Sequence, residues 1–157
     1  MKHQTIVNKV CRWFKVNIQN CEIKKEVRYK INLPRRGLNK QFFRADVIVI
    51  DKNTNQKIGI ECKTIKDSDN FRKLMAGVGQ AYILEKVFGL SYLAIEVEAE
   101  MSSDKNSFEF YKRGALLENI HHDLGIGILL VKNNVSLVKK AKFVKPFAKT
   151  LFTNLKG

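Results

Sequence analysis

Ile6, Val10, Trp13 and Phe14 recur at helical spacing, which predicts an amphipathic helix over 4–16. Charged residues then alternate with apolar or aromatic ones from 22 to 33, a period of two that predicts a first strand, stopped by Pro34. The basic, glycine-containing segment PRRGLNKQFFR reads as a loop. Two runs rich in Val and Ile flank a polar turn at 51–56 in RADVIVIDKNTNQKIGIECKT, the pattern of a β-hairpin. From 68 to 88 the period returns to near 3.6, with Phe71, Leu74, Met75, Val78, Tyr82 and either Leu84 or Glu85 expected inward. Asp67, Ser68 and Asp69 are cap candidates, and Gly89 is a natural stop. Residues 90–97 read as a strand, 108–117 as a helix, GIGILLVK and NNVSLVKKAK as strands, and the tail PFAKTLFTNLKG as a short basic helix. Helix, three strands, helix, strand is an α/β fold (α+β mixed sheet), mixed because a tight hairpin forces an antiparallel pair.

The end of the hairpin departs from what a core strand needs. Ile58, Ile60 and Cys62 share one face by alternation, and Gly59, Glu61 and Lys63 share the other. Asp46 falls on a face with Ile48 and Ile50 in the preceding run, so the hairpin brings its acidic end near Glu61. Asp46, Glu61 and Lys63 then converge at one end of a sheet. A partly buried ion pair is the plain alternative, but it brings little net stability because desolvation offsets the attraction.

Charge narrows the class of partner. The 157 residues include 29 Lys and Arg against 15 Asp and Glu, a formal net charge of +14 that points to nucleic acid or an anionic surface. No apolar run approaches the ~20 residues of a membrane span and the start lacks a signal-peptide pattern, so an intracellular (cytoplasmic) protein without membrane attachment is expected. Cys11, Cys21 and Cys62 are odd in number and lack metal-ligand spacing, as expected of reduced thiols. Without repeats, low-complexity tracts or linkers, 1–157 reads as one domain, with 143–157 as a basic C-terminal extension.

Ala45-Asp46, followed after a hairpin by Glu61-Cys62-Lys63, resembles the PD-(D/E)XK nuclease motif. The element order resembles the restriction-endonuclease-like α-β-β-β-α-β core of that superfamily over about 4–131. The resemblance implies a divalent-metal-dependent nuclease, most naturally a DNA nuclease. Asp46 and Glu61 would be metal ligands with the Cys62 carbonyl as a third, Mg²⁺ the ion and Mn²⁺ its substitute, and Lys63 would sit by the attacking water or the scissile phosphate. Ala45 stands where the motif has Pro, at a position that carries no ligand. The acid that many relatives place in the first helix is missing from 1–19, and Glu26, ahead of Glu22, is the replacement expected. Gln80 and Tyr82 are similar to the Gln-bearing helix of RecB-type and resolvase-type members, although the Gln-x-x-x-Tyr spacing is not reproduced; as ordinary residues they would be a surface amide and a core aromatic.

Arg35, Arg36, Lys40 and Arg44 before the Asp46 strand, and Lys66, Arg72 and Lys73 after the E-x-K strand, are the expected nucleic-acid contacts, with Tyr82 beside them. The lysines of 139–149 are the alternative surface, and a homodimer is compatible with all of this. His121-His122 lacks a third ligand at familiar spacing, and the glycines of DLGIGILLV lack both phosphate-loop patterns, so the latter read as a tightly packed strand. Two other functions fit the composition. One is a nucleic-acid-binding module that does not cleave. The other is a nucleotidyltransferase-like phosphoryl-transfer enzyme, which would want D-x-D on a strand rather than Asp67-Ser68-Asp69 at a helix start.

Overall fold

The computed structural model describes residues 3–31, 42–65, 71–97, 107–146 and 152–154. Its elements in chain order are α1 (His3–Asn17), β1 (Cys21–Ile31), β2 (Phe42–Asp51), β3 (Lys57–Ile65), α2 (Phe71–Phe88), β4 (Ser91–Val97), α3 (Ser107–Leu124), β5 (Gly127–Val131), β6 (Val135–Lys139) and β7 (Phe152–Asn154). The strands form one mixed sheet in the order β6-β5-β4-β3-β2-β1-β7. Neighbours β3, β4 and β5 run parallel, and the other pairs are antiparallel. α2 is the crossover between parallel β3 and β4, and α3 the crossover between β4 and β5, as parallel neighbours require.

Alternation along the central strands explains the layers. Ile58, Ile60 and Cys62 of β3 join Val47 and Val49 of β2 under Ile6, Val7, Val10 and Phe14 of α1. On the opposite face Leu93 and Ile95 of β4 and Ile128 of β5 pack with Leu74, Val78 and Ala81 of α2 and Ile120 of α3. A third cluster joins Leu84, Val87 and Phe88 of α2 to Ile48, Ala45 and Phe43 of β2 and to Val27 and Tyr29 of β1.

α2 lies close on β3 because each element offers a glycine where the other is bulky. A methyl at Gly59 would come within 2.8 Å of Leu84 Cβ, and one at Gly77 within 2.9 Å of Lys63 Cγ. Close packing on the sheet thus accounts for Gly77, whereas a methyl at Gly79 would meet nothing within 4 Å, and no contact explains that glycine. A side chain at Gly127 would collide with the Tyr92 ring, as tight strand packing predicts.

Three expectations need correction. The tail is not helical at 152–154: these residues form β7, whose Thr153 and Asn154 pair with Lys30 and Tyr29, because the outer edge of β1 supplies backbone partners that a short isolated helix lacks. Met75 is 49% exposed rather than inward, its place on the buried face being taken by Leu74 and Val78. α3 also runs on to Leu124, beyond the predicted end at 117, and so carries His121 and His122.

Candidate active site

The β2–β3 ladder pairs Ile50 with Lys57 and ends at Val47 and Ile60. One residue farther along, the Asp46 side chain takes over from the backbone: Oδ2 accepts the Cys62 N–H at 2.9 Å. A strand residue's N–H and C=O point the same way, so the Cys62 carbonyl also faces the Asp46 side. The Cys62 thiol belongs to the α1 core, and burial pushes its pKa well up, so Cys62 contributes backbone and not sulfur to the site.

β1 kinks at the same level. Glu26 has φ of 52°, the left-handed region, in mid-strand, and the pairs Lys25–Val47 and Val27–Ala45 place it opposite Asp46. Ile23 packs on the α1 side of the sheet and Val27 on the α2 side, although alternation would put them together. β2 makes the same switch, with Val47 on the α1 side and Ala45 on the α2 side. Asp46 therefore sits where both strands change faces, and its carboxylate turns into the opening beside β3.

Asp46 and Glu61 are each 3% exposed, and the two carboxyl groups are near enough for the Asp46 charge to act on Glu61. Burial first, then the neighbouring Asp46 charge, push the Glu61 carboxyl up to about 8, against the opposing pull of Lys63. Lys63 Nζ lies 3.7 Å from Glu61 Oε1, and Arg44 reaches 3.8 Å from Asp46 Oδ1. His3 Nε2, at the start of α1, lies 3.4 Å from the same Asp46 oxygen. Sequence reading missed His3 because it searched the first helix for an acid. The available signal was a polar, ionisable residue at the helix start.

α2 roofs the site. Gly77 covers Lys63 and Leu84 covers Gly59, so Gln80, between them on that side of the helix, lies over the stretch of β3 that carries Glu61. Among the described residues, Glu61 Oε2 and Gln80 Oε1 are buried without a hydrogen-bond partner. Each such atom is costly unless something completes its shell. Tyr82 is half-buried beside the second core cluster with Lys86 4.8 Å from its ring centre, so it packs away from the carboxylates.

Glu26 is exposed, and Glu22 is held by Lys52 at 2.9 Å, next to the far end of the hairpin. Arg72 and Lys73 open α2, near the Lys63 end of β3. Arg35, Arg36, Lys40 and Lys66, and the cap candidates Asp67, Ser68 and Asp69, lie outside the described residues.

Among the described residues no group of three or more His, Cys, Asp and Glu side chains is arranged to hold a metal ion. The donors present are two adjacent buried carboxylates, one with an orphaned oxygen, and a backbone carbonyl facing them. That hard-oxygen set fits Mg²⁺, which is commonly held by one or two carboxylates and keeps several waters. No helix among the described residues is long and apolar enough to cross a membrane. Comparison with protein-family models, curated proteins and solved structures finds no match.

Proposed function

We propose that this chain is a divalent-metal-dependent nuclease that hydrolyses phosphodiester bonds in DNA, built on a restriction-endonuclease-like core of the PD-(D/E)XK type. The observation that carries the reading is the buried Asp46–Glu61 pair with Lys63 beside it, held where the β2–β3 ladder opens. The order α1-β1-β2-β3-α2-β4 and the +14 charge support it.

Asp46 and Glu61 would hold the ion together with the Cys62 carbonyl, and a bound Mg²⁺ supplies a Lewis acid and a water of lowered pKa. The protein's own groups divide the remaining work. The Cys62 N–H fixes the direction of the Asp46 carboxylate. Lys63 donates to a phosphate oxygen and offsets the charge that develops there. Glu61 must release its proton before it can act as a ligand, so the proton competes with the ion and Mg²⁺ affinity should rise with pH toward about 8, the value of the metal-free carboxyl. His3, exposed at 3.4 Å from Asp46 Oδ1, would be the side chain to pass a proton to the leaving oxygen.

The test is incubation of the purified protein with linear and circular DNA in Mg²⁺, Mn²⁺ or EDTA. Cleavage should require the divalent ion, and cutting of circles would make the enzyme an endonuclease. A wild-type protein that binds DNA but cuts with no ion would be a binding module on the same fold.

A further inference from the structure

α1 carries a second stripe besides its core face. Lys9, Arg12, Trp13, Val16 and Asn17 line one flank, Lys9, Trp13 and Asn17 four residues apart in one row and Arg12 and Val16 four apart in the next. They form one wall of a cleft of about 320 Å³, whose other wall is Asn133, Asn134 and Val135 of the β5–β6 turn. The cleft is braced: Lys9 Nζ donates to the Lys132 carbonyl at 2.8 Å, and Lys132 N–H closes the turn onto the Asn134 carbonyl at 3.0 Å. The Trp13 ring stands edge-on to Phe14 at 4.9 Å, which fixes its orientation, and Val16 beside it is 84% exposed. No acid lines either wall.

An oriented indole, two cations, three amides and no carboxylate match one chemistry: a flat heteroaromatic ring next to a phosphate. We infer that this cleft holds one nucleotide of a single-stranded nucleic acid, its base stacked on Trp13 and its phosphate on Arg12 and Lys9. The inference rests on the nuclease reading to the extent that the substrate is nucleic acid. A polynucleotide is favoured over a free nucleotide because the cleft and the Asp46 site share one helix. From His3 to Trp13 is ten residues, ~15 Å along the axis, or four to five stacked nucleotides at ~3.4 Å each. A strand leaving the catalytic end along α1 would thus reach the cleft, which would measure the distance between the scissile bond and a held base. Stacking platforms of this kind tolerate any base and depend on salt.

Trp13 is the only tryptophan of the chain, so its fluorescence reports on the cleft alone. The full-length protein is titrated in EDTA, where no cleavage is needed, with a labelled thymidylate 12-mer, a 12-base-pair duplex and thymidine monophosphate. Anisotropy of the label follows total binding while Trp13 emission follows the cleft. We expect saturable quenching by the single strand, weaker quenching by the duplex and little by the mononucleotide. Trp13→Ala should weaken single-strand affinity about tenfold, from a base-stacking loss of ~1–3 kcal/mol, with Trp13→Phe intermediate. Arg12→Ala, at an exposed position that folding does not need, should weaken it and lower the salt dependence. Binding by anisotropy with silent Trp13 emission would overturn the cleft and leave the nuclease reading standing. Equal quenching by the mononucleotide would make it a nucleotide site and overturn the strand. No binding of any nucleic acid would overturn the cleft, and the cleavage assay in Mg²⁺ would decide the nuclease reading separately.

Discussion

Two of the buried glutamates among the described residues stand beside lysines, and their surroundings distinguish the proposed site from a structural charge. Glu61, at the open end of β3, is 3% exposed with Lys63 at 3.7 Å; Glu85, within α2, is 1% exposed with Lys86 at 3.9 Å. Each has an Oε2 without a hydrogen-bond partner among the described residues. Burial raises both, Glu61 to about 8 and Glu85 to about 7. The difference is that Glu61 also faces a second carboxylate, Asp46, whose charge raises it further and which is itself aimed by a backbone N–H. Glu85 has only desolvation and one lysine. A perturbed acid is thus a weak sign of function by itself; a second acid held beside it, in a break in the sheet, is a stronger one.

The largest effect should come from breaking the site and sparing its counterpart. Asp46→Ala, Glu61→Ala and Lys63→Ala should each lower cleavage roughly 10²-fold or more, the scale seen on removing one transition-state contact. Glu85→Gln should leave the rate within roughly threefold, a surface-like effect on chemistry. Nuclease assays on proteins matched by circular dichroism decide this. A loss at Glu85 as large as at Glu61 would move the site onto α2.

Stability against pH tests the same contrast without activity. In the metal-free fold both glutamates keep protons that the unfolded chain releases near the ordinary value of 4.5. Their contribution is therefore complete below about 4.5 and is lost as pH rises, through about 7 for Glu85 and about 8 for Glu61. Unfolding free energies from denaturant titrations in EDTA should fall across this window, by a total on the order of several kcal/mol. Glu61→Gln should remove the slope between about 7 and 8 and about halve it below, whereas Glu85→Gln should about halve it only up to about 7. If the proposed metal site is right, Mg²⁺ should raise the midpoint at pH 8 in wild type and Glu85→Gln but not in Glu61→Gln.

How much of this contrast was legible in the sequence depended on range. Period-two alternation on both sides of 51–56 identified the hairpin, and the charges ending its second run stood out because the residues around them were apolar. The mixed sheet followed from the hairpin. His3 was not legible, since its meeting with Asp46 is a contact between a helix start and a strand some forty residues away. Alternation also assigned Asp46 to the face of Ile48 without warning that β1 and β2 change faces there. Glu85 remained ambiguous between core and surface because its neighbour Leu84 satisfied the same helical period. The tail was read from local composition, whereas its three strand residues are set by the edge of β1.

Gly77 offers a smaller perturbation that reaches the site through packing. A methyl there would stand 2.9 Å from Lys63 Cγ and 3.1 Å from Leu93 Cδ1. Alanine gains ~1 kcal/mol in helix propensity, and the contact should cost about as much, leaving stability nearly unchanged. The near end of the Lys63 chain must move, however, and its amine with it. Gly77→Ala should lower cleavage roughly tenfold, since small displacements of a positioned group are expensive, while thermal midpoints shift little. Gly79→Ala, with open space around it, should gain stability and keep its activity, so the pair separates helix propensity from positioning.

The smallest effect is expected at Glu26, where backbone and side chain make different demands. Its exposed carboxylate lies opposite Asp46 in the ladder, the place a further ligand would occupy, yet its φ of 52° is strained for any residue with a Cβ. If the kink is what the fold requires, glycine serves better, and Glu26→Gly should stabilise by up to ~1 kcal/mol. Activity should then stay within roughly threefold in both Glu26→Gly and Glu26→Gln, because the turn that aims Asp46 into the opening is retained. If the carboxylate completes the ion's shell, Glu26→Gln would instead lower the rate and raise the Mg²⁺ concentration needed for half-maximal cleavage. Mg²⁺ titrations of the cleavage rate, run beside thermal melts of both variants, tell these apart: a shifted metal requirement in Glu26→Gln assigns the side chain to the site, and a raised melting point in Glu26→Gly with an unshifted requirement assigns the residue to the bend.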